Sequence, residues 1–265
     1  MDVLDGFKTV QREGWSHFAP MAALTTVPAA RLVRYAGVQP ADRVLDVACG
    51  TGVVAITAAR IGAHVIGLDL TPSLLSIARD NAALAGVTIE FREGDCETLP
   101  FEDASFDVVV SQYGHIFAPR PAVATAEMLR VLKRGGTLAF STWPPELFVG
   151  RLFTLVSRYA SPPPTGVEHP SLWGDPAVVR DRLGAAVTDL RFDRDTMVIP
   201  SLSPQHSRDA TERTAGPVVA LIQQLREQDP RSLDAFRREY EALTAEYWTE
   251  NTMRQGYLLT RATKA

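Results

Sequence analysis

Between residues 43 and 143 a short apolar run, a turn and a helix-forming stretch follow one another repeatedly, and this alternation constrains the fold more than any other feature of the chain. RVLDVA (43–48) ends at a glycine-rich turn and leads into the alanine-rich VVAITAARIGA (53–63), which stops at Gly62. HVIGLDL (64–70) is a second buried run. Thr71 and Pro72 supply a cap and a first-turn proline for a helix through SLLSIARDNAALAG, closed by Gly86. VTIEFREGD (87–95) alternates apolar and polar residues, and FDVVVSQYG (106–114) is apolar on both faces, as in the middle of a parallel sheet. A helix over 121–133, closed by Gly135-Gly136, precedes TLAFSTW (137–143) and the breaker Pro144-Pro145. Five strands alternating with four helices predict an α/β fold whose doubly wound sheet is joined by right-handed crossovers.

The flanks are read more coarsely. The first forty residues are helical, with Val27–Tyr35 as one helix stopped at Gly37. Past Trp143 come a helix from Leu147 to Ala160, the loop SPPPTG, and a helix from Asp175-Pro176 to Gly184. LRFDRDTMVI and QGYLLTRATK read as two further strands, separated by about fifty helical residues. In that insertion Leu233, Phe236, Tyr240, Leu243 and Tyr247 step by three and four and form one apolar stripe, which either packs as core or lines a pocket. The organisation expected is a single domain, 1–265, with an N-terminal helical cover (1–40), a ligand-binding core (41–143) and a helical cap (201–250).

Charge and composition then exclude whole classes. The chain carries 27 Lys+Arg against 31 Asp+Glu, a net charge of −4, which disfavours nucleic acid and anionic lipid as partners because such binding needs clustered cations. From 201 to 265 nine basic residues meet nine acidic ones, so the insertion is not a nucleic-acid arm. No window reaches the roughly 18 apolar residues of a membrane span, and the charged N-terminus lacks a secretory apolar core, so a cytoplasmic location is expected. The two cysteines, Cys49 and Cys96, have no CxxC spacing and no histidine neighbours; neither a structural metal nor a thiol nucleophile is expected.

The chemistry is concentrated in Asp46-Val-Ala-Cys-Gly-Thr-Gly52, which links the first strand to the first helix. Gly50 and Gly52 allow a tight turn and close approach of the backbone to a ligand, and the helix start offers free N–H groups. The spacing Gly50-x-Gly52-x-x-Ala55 also suits a dinucleotide, with Asp69 as ribose acceptor in either case, so glycine spacing alone leaves both readings open. Asp46 weighs against the dinucleotide: a carboxylate before the glycines suits a cationic or amino group and repels a pyrophosphate. Gly94-Asp95-Cys96 places an acceptor and a backbone N–H at the next strand edge, suited to an adenine amino group and ring nitrogen.

VLDVACGTG, VIGLDLTPSLLSIAR, EGDCETLPFEDASFDVVVSQYG and EMLRVLKRGGTLAFSTW together resemble the class I S-adenosylmethionine-dependent methyltransferases, in the branch similar to the ubiquinone/menaquinone C-methyltransferases. The resemblance covers 44–143 and departs at Arg134, where proline usually precedes the double glycine. It implies a Rossmann-like seven-stranded sheet in the order 3-2-1-4-5-7-6 with the last strand antiparallel. It implies methyl transfer from S-adenosylmethionine, leaving S-adenosylhomocysteine, but does not fix the acceptor; a small molecule, aromatic or apolar in character, is the expected partner. It implies that Asp46, Gly50 and Gly52 line the methionine moiety, that Asp69 holds the ribose hydroxyls, and that Leu70, with Asp95 and the Cys96 backbone, meets adenine; Ala48, Thr51, Ser111 and Gln112 are further candidate cofactor-binding residues, and Tyr113 joins His115 as a candidate catalytic residue.

Methyl transfer asks chiefly for positioning and water exclusion, because the sulfonium already activates the methyl group. Should a base be needed, His115, two residues past Tyr113 and just beyond the fourth strand, stands where open α/β sheets place their ligand crevice; Tyr113 is its neighbour and Trp143 is expected nearby. A histidine that merely holds the 114–120 loop is the equal alternative. Trp15 and Phe18, flanking His17, either cover the cofactor or pack on the core.

Overall fold

The structure is a computed structural model that describes residues 3–265. Its single sheet is built from β1 (Arg43–Val47), β2 (His64–Asp69), β3 (Glu90–Glu93), β4 (Phe106–Gln112), β5 (Leu132–Thr142), β6 (Val187–Pro200), β7 (Trp248–Thr249) and β8 (Thr252–Lys264). The order is β3-β2-β1-β4-β5-β8-β6, with the two-residue β7 paired to β8. β1 to β5 run parallel, and β8 is inserted antiparallel between β5 and β6. Leaving β7 aside, this is the order 3-2-1-4-5-7-6 with an antiparallel last strand, as the resemblance implied.

The physical origin of that order lies in the crossovers. β1 leads through α3 (Val53–Ala59) to β2 and through α4 (Pro72–Leu84) to β3, moving one way across the sheet, while β4 leads through α5 (Pro121–Val131) to β5, moving the other way. With right-handed connections the two sets of helices fall on opposite faces, and strand order reverses between β1 and β4. α2 (Thr26–Ala36) packs beside α3, and α7 (Pro176–Leu183) beside α5. β1 and β4 are buried nearly throughout, which accounts for their continuous apolar runs.

Local details differ from the sequence reading where long-range pairing overrides propensity. α5 ends at Val131, and Leu132 pairs with Phe106 of β4; the register then shifts before Val108 meets Thr137, so Gly135-Gly136 sits in a β-irregularity and does not close the helix. β3 is shorter than VTIEFREGD. Thr71 makes no side-chain cap to α4; the carboxylate of Asp69 accepts from the Thr71 N–H instead, at 2.8 Å. Thr71 is thus capped from the preceding strand end, which ties β2 to α4.

The insertion between β6 and β8 forms α8 (Pro204–Thr214), α9 (Gly216–Gln228) and α10 (Pro230–Ala245). With α6 (Phe148–Tyr159) they enclose a second apolar cluster containing Leu233, Phe236, Tyr240 and Leu243 of the helical stripe. Each such side chain fully buried contributes about 1.5–3 kcal/mol, so the stripe is core of this helical layer. α1 (Val3–Trp15) crosses α9 where Gly14 and Gly216 meet; a Cβ built on Gly14 would lie 3.1 Å from the Gly216 carbonyl oxygen, so two glycines are what let these backbones approach. Among the described residues no helix is long and apolar enough to cross a membrane.

Candidate active site

A cavity of about 250 Å³ opens at the C-terminal ends of β1 to β5, at the point where strand order reverses. Its floor is the loop after β1. Ala48, Gly50 and Gly52 all have positive φ there, 55°, 53° and 82°, a sharp path that turns the chain from strand into α3. At Gly52 a Cβ would stand 3.0 Å from the Phe91 ring, so the absence of a side chain is a packing requirement as well as a backbone one.

Three carboxylates face the cavity from successive strand ends. Asp46 is 1% exposed; its Oδ2 accepts from the Ala55 N–H at 2.9 Å, while Oδ1 has no partner among the described residues. Burial pushes its carboxyl up to about 8, partly offset by the Ala55 bond and reinforced by the charge of Asp69. Asp69 is also buried, and burial raises it, while its two oxygens accept from Gly50 N at 2.7 Å and Thr71 N at 2.8 Å. Asp69 therefore fixes the glycine loop and still retains a lone pair on each oxygen. Asp95 accepts from the Glu97 N–H at 2.8 Å and, at 2.6 Å, from Lys8 of α1. Leu70, Thr51, Cys96 and Gln112 line the same cavity, so most of the expected cofactor set converges here.

Ser111 and Gly52 lie behind this surface. Ser111 Oγ donates to the Val47 carbonyl at 2.7 Å and accepts from the His115 N–H, holding the β1 and β4 loops together, and Gly52 stands at the start of α3. Both cysteine thiols are pushed up by burial, in keeping with packing roles.

His115 does not face the cavity. After β4 the chain turns at Tyr113, whose φ is 62°, and enters a short 3-10 turn that carries the imidazole into the core, 4.8 Å from the Phe140 ring and 4.6 Å from that of Trp173. Its ring nitrogens have no hydrogen-bond partner among the described residues, and burial, with the Arg182 charge, lowers it to about 3. The expected base position is corrected to the alternative: the ring is a core residue that stays neutral near pH 7 and does not line the cavity. Tyr113 does line the cavity, stacked on Trp143 at 4.0 Å between ring centres. Burial raises its hydroxyl well above the usual tyrosine range, so it keeps its proton; that oxygen is buried without a partner among the described residues, and it is the ring that meets the cavity.

The remaining walls come from segments outside the sheet, some anticipated from the sequence and some not. Trp15 and Phe18 do line the cavity, and Trp15 packs on Phe117 at 4.6 Å; His17 is exposed. Lys8 and Gln11 of α1, Phe148 and Leu152 of α6, and Met197 of β6 were not foreseen. The sequence pattern predicts a helix from Leu147 to Ala160 but not what it meets. From the cap, Thr211, Ala215, Pro217 and Val218 reach the cavity, whereas the residues of the Leu233–Tyr247 stripe do not. No group of three or more His, Cys, Asp or Glu suited to a metal occurs among the described residues.

These residues fit S-adenosylmethionine. A buried carboxylate oxygen without a partner beside a glycine loop suits the cofactor's ammonium, Asp69 suits two ribose hydroxyls, and a pyrophosphate placed beside Asp46 would be repelled. Residues 45–140 match the family model described as "Methyltransferase domain". An uncharacterized protein of Mycobacterium tuberculosis is 35% identical over 97% of this chain and 94% of its own length. The ubiquinone biosynthesis O-methyltransferase of Hahella chejuensis is 42% identical over a shorter stretch, 39% of this chain and 44% of that protein. Among solved structures, a putative methyltransferase of Bacillus halodurans superposes with a TM-score of 0.60 at 24% identity, covering 89% of this chain and 98% of that one, which shows a shared fold.

Proposed function

The chain belongs to the class I S-adenosylmethionine-dependent methyltransferases, and from that premise we propose that it methylates a small, largely apolar acceptor held between the strand ends and the helical cap. The observation that carries the proposal is the partition of the cavity: every carboxylate lies on the side of β1 to β3, while the opposite walls are Met21, Leu24, Phe117, Phe148, Leu152 and Phe153, without a charged side chain. An ionised acceptor would lose its hydration there with no counter-charge, so a neutral, apolar or aromatic one is favoured.

The cofactor, when bound, supplies a methyl group already activated by a sulfonium. The chain's own task is to hold both reactants in line and keep water out. Asp46 anchors the ammonium, Asp69 the ribose hydroxyls, and Asp95 with the Cys96 backbone N–H the adenine edge. Tyr113, stacked on Trp143, offers the acceptor an aromatic face, while its own hydroxyl stays buried behind the cavity wall. With His115 in the core, no side chain on the acceptor side removes a proton near neutral pH, so the acceptor arrives already nucleophilic. Residues 201–250 act with 11–24 as the cover over the acceptor, and such covers open on microsecond to millisecond timescales.

Two experiments test this reading. Calorimetric titration should show binding of S-adenosylhomocysteine and none of NADPH; the reverse would overturn the donor assignment. A metabolite screen with methyl-labelled cofactor should then label neutral, apolar acceptors in preference to charged ones, and transfer only to charged metabolites would overturn the acceptor assignment.

A further inference from the structure

Lys8 lies outside the stretch that matches the family model, yet its ammonium reaches the adenine edge of the cavity. It donates to Asp95 Oδ2 at 2.6 Å and to Glu97 Oε2 at 2.5 Å, with a side chain only 13% exposed. Glu97 is completely buried at the side chain, and its two oxygens also take the Arg120 N–H at 2.5 Å and the Arg120 guanidinium at 2.8 to 2.9 Å. Two carboxylates and two cations thus form one connected group spanning α1, the loop after β3 and the start of α5. Burial pulls the Lys8 ammonium toward neutrality, but its bonds to Asp95 and Glu97 outweigh that and hold it charged.

Two features make this more than a surface ion pair. Exposed pairs contribute little because water screens them, whereas here both partners of Lys8 are largely withdrawn from water and one has no exposed surface. α1, moreover, has no fully buried residue; among the contacts that hold it down are the Lys8 bridge, the Arg12–Glu93 pair, Gln11 donating to the Phe117 carbonyl, Trp15 packed on the Phe117 ring, and the glycine crossing with α9. Of these, the Lys8 bridge alone grips a residue assigned to the cofactor.

We propose that Lys8 is a positioning residue for the adenine end of the cofactor: it fixes the Asp95 carboxylate toward the adenine amino group and so makes closure of α1 part of cofactor binding. This rests on the reading of the site as an S-adenosylmethionine site. Without Lys8, Asp95 would keep the Glu97 N–H on one oxygen but stand beside Glu97, a like charge paired with Arg120, and its second oxygen would be free to turn. With Lys8 bonded to one oxygen and the Glu97 N–H to the other, the carboxylate plane is set, and each oxygen keeps a lone pair for a further donor.

The test is a two-way comparison of protein and ligand. Wild type and Lys8→Met are titrated with S-adenosylhomocysteine and with its analogue whose purine lacks the 6-amino group. Wild type should bind the analogue at least about tenfold more weakly than S-adenosylhomocysteine. Lys8→Met should lose about tenfold for S-adenosylhomocysteine but stay within about twofold for the analogue, because the interaction it positions is then missing from the ligand. Lys8→Arg, which still bridges two carboxylates, should recover most of the discrimination. An equal loss for both ligands, or no loss for either, overturns the proposal and leaves Lys8 as a residue that only holds the helix. Should Lys8→Met fail to fold, Lys8→Gln, which keeps a donor without the charge, carries the same comparison. Failure of wild type to bind S-adenosylhomocysteine at all would instead overturn the site reading itself.

Discussion

Asp46→Asn should raise the stability of the ligand-free protein at alkaline pH and lower its affinity for S-adenosylhomocysteine, two effects of opposite sign from one substitution. The carboxyl is pushed up to about 8 in the folded chain, against an unfolded value of 3.8. A group raised in this way favours folding below the unfolded value, and that contribution is lost as pH rises through the folded one. The wild type should therefore lose about 1.4 kcal/mol per pH unit from this group between roughly pH 4 and 8, and the variant should not. Binding runs the other way. The cofactor's ammonium favours the ionised carboxylate, which at pH 6 is about one molecule in a hundred, so affinity should rise roughly fiftyfold from pH 6 to pH 8, with about one proton released at pH 7. Asparagine removes the charge-assisted bond, worth about 1.5–3 kcal/mol, or roughly 10- to 150-fold at pH 8. Urea unfolding of the ligand-free protein gives the first effect, and calorimetry in buffers of different ionisation enthalpy gives the second together with the proton count. Asp69 is also raised by burial, so the diagnostic quantity is the loss of one proton's worth of pH dependence in the variant. A wild-type affinity that is flat from pH 6 to 8 with no proton released would falsify the assignment of Asp46 as the ammonium anchor.

Three further outcomes follow from the same geometry. Asp69→Ala removes the acceptor for the Gly50 and Thr71 N–H groups as well as for the ribose, and should weaken S-adenosylhomocysteine binding at least about tenfold while the far-UV circular dichroism is retained; unchanged affinity refutes its role. His115 is lowered to about 3 by burial and by Arg182, so its contribution to stability is present above pH 6.5 and is lost as pH falls toward 3. His115→Phe should abolish about 2 kcal/mol of destabilisation between pH 7 and pH 5 in urea unfolding and leave S-adenosylhomocysteine affinity at pH 7 within about twofold; a large loss of affinity would return His115 to the site. Gly216→Val brings side-chain atoms against Gly14 and Trp15, where even a Cβ stands only 3.1 Å from both, and should part α1 from the cap. Hydrogen exchange along α1 should then accelerate while β1 and β4 stay protected; unchanged exchange in α1 would show that the crossing does not hold it.

The clustering of Asp46, Gly50, Asp69 and Asp95 in one cavity was written in the chain because its information is local. A parallel strand followed by a glycine turn and a helix places Asp46, Gly50, Asp69 and Asp95 at strand ends, and strand ends of a doubly wound sheet lie together whatever the remaining sequence is. Periodicity likewise showed that Leu233, Phe236, Tyr240 and Leu243 share one face of a helix, but not that this face meets α6 and α9 away from the cavity. His115 shows the limit most sharply: its position after β4 suggested the crevice, whereas a positive φ at Tyr113 and a short 3-10 turn swing the ring to Trp173, a residue far along the chain. The same holds for Leu132–Gly136, which β4 drew into a strand against their helical setting, and for Lys8, which an unremarkable amphipathic helix carries to Asp95. Strand-end placement and the face a helix shows are set by neighbours a few residues apart, so sequence determines them; where a strand partner overrides local propensity, as at Leu132–Gly136, and which side chains from distant segments close the same cavity depend on packing energies summed over the whole fold, and only the tertiary structure decides that.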